Sequence, residues 1–168
     1  MTDSKTCAEG WPAHRVTGID VWPYRQVDSG AEFLLLHRSG RDGSPFWQGV
    51  SGWIEDGEAP HLSALRELRE ETSLDALELY AVDAVFDLYA WQRGTVEAIV
   101  PFAALVAAEA APELCEEHDQ WRWEPLAEAV NLVPYQPQRA ALRRISEDIL
   151  DRPELAHLYR IEPPEKSR

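Results

Sequence analysis

The sequence is poor in cysteine, poor in basic charge and without a long apolar run, and each shortage removes a class of protein. Its two cysteines, Cys7 and Cys115, stand far apart and in no metal-ligand spacing, which supports neither a disulfide framework nor a zinc site. Lysine and arginine number 16 against 30 aspartates and glutamates, a formal net charge of −14. Such a surface repels nucleic-acid backbones, whose binding depends on Lys and Arg neutralising phosphates, so no nucleic-acid polymer is expected as partner. The longest apolar run, around residues 99–108, is far too short to span a bilayer. The opening MTDSKTCAEG lacks the basic-then-apolar pattern of an export signal. No membrane partner and a cytoplasmic location are therefore the expectations.

What is present is a chain of 168 residues, 45% hydrophobic with no dominant residue type, long enough for one domain with a real core. Residues 1–12 read as a flexible tail, 13–152 as the domain and 153–168 as a C-terminal tail. Extended segments are expected at 16–27 (bent at Pro23), 31–38, 46–54, 77–91, 95–105 and around 121–123. Helices are expected from Pro60 to about Thr72, over 126–131, and over 136–150 with Ala140, Leu142, Ile145, Ile149 and Leu150 facing the core. Strands on both sides of one helix imply an α+β fold, a mixed sheet flanked by helices.

The helix beginning at Pro60 breaks local rules. Glu67, Glu70 and Glu71 gather on one face. Carboxylates spaced i and i+4 repel, and two of these stand near the helix C-terminus, where the macrodipole disfavours negative charge. Leu62, Leu65, Leu68 and Thr72 fall on the other side and are expected to meet a sheet, which turns the carboxylates away from the core. A solvated charged face, with Arg66 and Arg69 as partners, is the ordinary explanation. A divalent-cation site is the sharper one, because Mg²⁺ takes hard oxygen ligands from one or two carboxylates and lets substrate phosphates complete its shell.

The flanking residues decide between them. Gly52, five residues, Glu58, seven residues, Arg66-Glu67-Leu68, one residue, Glu70-Glu71, one residue, Ser73-Leu74 resembles the Nudix box. Six fixed positions agree, a coincidence on the order of one in 10⁷ per register at average composition. Ser73 stands where the pattern has glycine. The left-handed backbone that suits glycine there costs another residue roughly 1 kcal/mol, so local strain or a different helix exit is expected. Phe46-Trp47-Gln48-Gly49-Val50-Ser51-Gly52 and Glu117-His118 resemble the branch of dATP and dihydroneopterin triphosphate pyrophosphohydrolases.

The resemblance implies a Nudix-type α/β/α sandwich and hydrolysis of a small phosphorylated substrate with Mg²⁺, or Mn²⁺ in its place. It implies Glu67, Glu70 and Glu71 as metal ligands joined by the carbonyl of Ser51. Glu67 doubles as a candidate base, and Arg66 with Glu58 forms a supporting ion pair beside Gly52. Glu117 is the first candidate for a general base outside the box, with Glu116 adjacent. His118 is expected to be structural. Arg38 is a candidate phosphate contact, and Trp47 and Trp91 are candidate stacking residues, with Tyr89, Trp121 and Trp123 also in view. A nucleoside or pterin triphosphate is the expected substrate. Dinucleoside polyphosphates and nucleotide sugars are the alternatives, and a non-catalytic nucleotide-sensing module is the rival of another class. A homodimer is compatible with all of these.

Overall fold

The computed structural model describes residues 13–40 and 45–162, with residues 13–15 described by their backbone alone. The first two strands, β1 (Ala13–Val27) and β2 (Gly30–Arg38), form a hairpin whose turn uses Gly30 at φ 123°. They pair only from Tyr24–Phe33 to Val27–Gly30 and then splay. Two short strands fill the gap. β3 (Phe46–Gln48) pairs with the far half of β2, and β4 (Val50–Trp53) pairs with β1 over Gly18–Val21. This splay opens the site described below.

The helix α1 (Pro60–Thr72) follows, and then β5 (Glu78–Ala81), β6 (Phe86–Ala90) and β7 (Thr95–Leu105). β7 lies parallel to β1, and α1 forms part of the long crossover that a parallel pair requires. β5 and β6 both pair antiparallel with β7. The single extended stretch expected over 77–91 divides in two because Pro101 stands opposite the break and has no N–H to continue the ladder. β8 (His118–Pro125) closes the other side by pairing with β2.

Helices cover both faces, as the α+β reading expects. β2 alternates Phe33 and Leu35 toward one face with Leu34 and Leu36 toward the other, all four fully buried. Phe33 and Leu35 join Trp22 and Leu142 beneath α2 (Leu126–Leu132) and α3 (Gln136–Ile145). Leu34 and Leu36 join Ile19, Val21 and Leu68 beneath α1. Ala141 rather than Ala140 is the buried alanine of α3, and the expected continuation to Leu150 is a π turn, Ser146–Leu150.

Tyr159, Arg160 and Ile161, within the segment read above as a C-terminal tail, pair with the edge of β5. The amide of Ala81 donates to the carbonyl of Tyr159 and that of Ile161 to Leu79, each at 2.8 Å. The expected tails at 1–12 and 163–168 lie outside the described residues.

Candidate active site

α1 starts at a proline, whose fixed φ and missing N–H suit a first helical turn. Its buried face carries Ser63, Ala64, Leu68, Glu71 and Thr72, while Leu62 is 40% exposed. The carboxylates therefore do not point away from the core as a group, which corrects the helical-wheel expectation. Glu71 turns inward, Glu67 is half-buried at the edge of β4, and Glu70 faces solvent.

Arg66 organises this edge. Its Nε and Nη2 grip Glu58 at 3.0 and 2.9 Å, and Nη1 donates to Glu67 at 2.7 Å and to Glu70 at 3.1 Å. Nη2 also donates to the carbonyl of Trp53 at 3.0 Å and to Ser63 Oγ at 3.1 Å. The fork of the guanidinium thus ties α1 to the loop after β4. Hydrogen bonds from Arg66 hold the Glu58 carboxyl down at about 2. Burial pushes the Glu67 carboxyl up, against the pull of Arg66. Gly52 supplies the room, because a Cβ there would collide with the Glu67 carboxylate.

Glu71 is held from the opposite side. His118 Nε2–H donates to its Oε2 at 2.8 Å from the first residue of β8. Burial pushes the Glu71 carboxyl up, His118 opposes this, and the charges of Glu67 and Glu117 add to it. The backbone of the acidic loop is pinned to the same helix end, with Cys115 N–H donating to the Glu71 carbonyl at 3.2 Å and Glu113 N–H to that of Thr72 at 2.9 Å. This brings Glu117 to Arg38, whose Nη1 donates to Oε2 at 3.1 Å. Ser73 ends the helix at φ 59°, the one non-glycine with positive φ among the described residues. The left-handed exit survives the loss of glycine.

These groups surround a cavity of about 840 Å³ lined by Arg38, Ser51, Gly52, Glu67, Glu70, Glu71, Glu116 and Glu117. Trp47 and Trp91 do not line it. Trp47 lies 4.9 Å from the ring of His37, beneath Arg122, and packs on the α2–α3 core. Trp91 sits 74% exposed in the turn after β6. The aromatic lining comes instead from Trp53, Phe86 and Tyr135.

The sequence reading also missed Asp20 and Gln138, which meet at 3.1 Å inside the cavity. Burial raises the Asp20 carboxyl to about 6, with Gln138 opposing and the charge of Glu71 assisting. No periodic or motif signal links residues 118 positions apart.

Among the described residues no three His, Cys, Asp or Glu side chains are gathered into a ready metal cage. Arg66 lies against Glu67 and Glu70, and Glu71 is engaged by His118. The Glu67, Glu70 and Glu71 carboxylates that line the cavity offer hard oxygen ligands, the kind that suit Mg²⁺ or Mn²⁺ sharing its shell with substrate phosphates. No described helix is long and apolar enough to cross a membrane.

The NUDIX domain model matches residues 15–149. The asymmetrical bis(5'-nucleosyl)-tetraphosphatase of Sus scrofa is 31% identical over 138 residues, covering 78% of this chain and 92% of the pig protein. An Ap4A hydrolase of Caenorhabditis elegans, solved as a binary complex, superposes with a TM-score of 0.68 at 24% identity, over 79% of this chain and 96% of that one. The dihydroneopterin triphosphate pyrophosphohydrolase of Escherichia coli superposes with a TM-score of 0.65 at 26% identity, over 79% and 96% of the two chains.

Proposed function

The chain belongs to the Nudix hydrolase family, and from that premise we propose that it is a Mg²⁺-dependent pyrophosphohydrolase of a nucleoside or pterin triphosphate, releasing pyrophosphate and the monophosphate. One observation carries this reading. Glu67, Glu70 and Glu71, from the last turns of α1, line a single cavity beside Ser51 and Gly52. An acidic cavity is a poor host for a polyphosphate by itself, and a divalent cation reconciles the two charges. Glu67, Glu70, Glu71 and the Ser51 carbonyl would hold Mg²⁺, with Mn²⁺ able to replace it. When bound, the ion neutralises phosphate charge and lowers the pKa of a bound water.

The chain's own residues supply position. Arg66 and Glu58 fix the loop against α1, His118 fixes Glu71, and Arg38 offers the cavity a cation. Glu117, 60% exposed and oriented by Arg38, is assigned the general-base role, with Glu67 and Glu116 as the competing carboxylates.

A second reading, cleavage of a dinucleoside polyphosphate, is favoured by the pig relative, whose match extends over 92% of its length. Incubation of the protein and Mg²⁺ with triphosphates, dihydroneopterin triphosphate, a dinucleoside tetraphosphate and a nucleotide sugar separates the two. Pyrophosphate from a triphosphate supports the first reading. A nucleoside triphosphate and a monophosphate from the tetraphosphate, with the simple triphosphates left intact, would replace it by the second.

A further inference from the structure

Beside the carboxylates, one row of residues crosses four strands. Register sets Trp53 of β4 opposite Gly18 of β1, Gly18 opposite Ile99 of β7, and Ile99 opposite Phe86 of β6. Residues opposed in register share a face of the sheet. Gly18 lets the row close into a shelf, because a Cβ there would come within 2.6 Å of Ile99 Cδ1 and 3.8 Å of Trp53 Cε3. Trp53, Ile99 and Phe86 all line the cavity, and Trp53 is 56% exposed. Core packing does not account for an indole left this open at the mouth of an acidic cavity.

The indole is backed rather than loose. The Arg93 guanidinium carbon lies 5.4 Å from its ring centroid. Arg93 Nε donates to Glu97 Oε1 at 2.9 Å, and Glu97 also accepts from Thr17 at 2.5 Å and from Thr95 at 2.6 Å. Glu97 is a buried carboxylate that the hydrolytic chemistry does not use. Its set of donors fixes the β6–β7 turn, and through Arg93 it fixes one side of Trp53. A platform held in place before the ligand arrives loses less freedom on binding. Trp53 also directly follows Gly52, against which the Glu67 carboxylate lies. A ring on the shelf therefore leads its phosphate chain toward the carboxylates.

We propose that Trp53, continued by Ile99 and Phe86 and backed by Arg93, is the platform on which the flat heteroaromatic ring of the substrate stacks. This rests on the reading of the cavity as a polyphosphate hydrolase site and adds the location of the ring.

Calorimetric titration with Mg²⁺ and two probes tests it, the α,β-methylene analogue of ATP and inorganic tripolyphosphate. The wild type is expected to bind the analogue about tenfold more tightly than tripolyphosphate, in keeping with the stacking of one base on an aromatic ring. Trp53→Ala is expected to remove that preference and leave tripolyphosphate binding unchanged, and Trp53→Phe to restore most of it. Arg93→Ala is expected to weaken the analogue about threefold. Equal binding of the analogue by the wild type and Trp53→Ala overturns the proposal. Trp53-dependent binding without hydrolysis of any triphosphate upholds the platform and removes the triphosphatase reading. Hydrolysis with a KM unmoved by Trp53→Ala keeps that reading and removes the platform.

Discussion

His118 and Glu71, 47 residues apart, meet at 2.8 Å with the imidazole fully buried and the carboxylate only 9% exposed. The contact joins the start of β8 to the last turn of α1, so a residue outside the box holds one of its carboxylates in place. His118→Ala leaves that carboxylate buried without its partner, which costs about 1–3 kcal/mol. Urea unfolding should show a loss of that size, and kcat should fall while KM for substrate moves little. Stability and kcat both matching the wild type would show that Glu71 does not depend on His118.

Gly52 and Glu67 form a second dependence, set by space. Gly52→Ala forces the Glu67 carboxylate out of its position, and displacement on the scale of an ångström costs about 10²-fold in rate. Steady-state kinetics should show that loss in kcat, with the fold retained by circular dichroism. A rate within twofold or so of wild type would mean that Glu67 has no need of its place over the glycine.

The Arg66–Glu58 clamp should be visible in the pH dependence of stability. The Glu58 carboxyl is lowered from its ordinary 4.5 to about 2 by its hydrogen bonds to Arg66. A lowered folded-state pKa contributes stability that is complete above 4.5 and disappears as the pH falls through about 2. Glu58→Gln should therefore be less stable than the wild type near neutral pH, with the difference closing across that window. Thermal melts at stepped pH measure it, and a difference that stays constant through the window would contradict the clamp.

Ser73 offers a change in the stabilising direction. Its φ of 59° is costly for any residue with a Cβ, and it stands exposed at the end of α1. Ser73→Gly should raise stability by about 1 kcal/mol in denaturant melts and leave turnover unaltered. A loss of stability would show that the serine contributes something at the helix exit beyond filling the position.

The parts that the sequence made legible are those written in local patterns. The position of α1 followed from Pro60 and the spacing of its apolar residues, and the carboxylate row from Glu67, Glu70 and Glu71. The splay of the hairpin was invisible because it depends on β3 and β4 entering from later in the chain. The inward turn of Glu71 was misjudged for a related reason. A helical wheel gives relative angles, but Gly52 and the loop that ends in His118 decide which side is covered. Among the aromatics, composition could not distinguish Trp47, which packs on the core, from Trp53, which faces the cavity. Only strand register separates them.

The proposed function has the α1 carboxylates supporting metal-dependent hydrolysis of a diphosphate bond. Its most direct test is the rate of pyrophosphate release from the best triphosphate substrate as Mg²⁺ is titrated, for the wild type beside Glu70→Gln. Glu70 is exposed and its replacement leaves the core untouched, so both proteins should melt alike. The wild type should require Mg²⁺ for turnover, and Glu70→Gln should lose nearly all activity at every metal concentration. Turnover without added metal in the presence of a chelator, or near-normal turnover by Glu70→Gln, would contradict it.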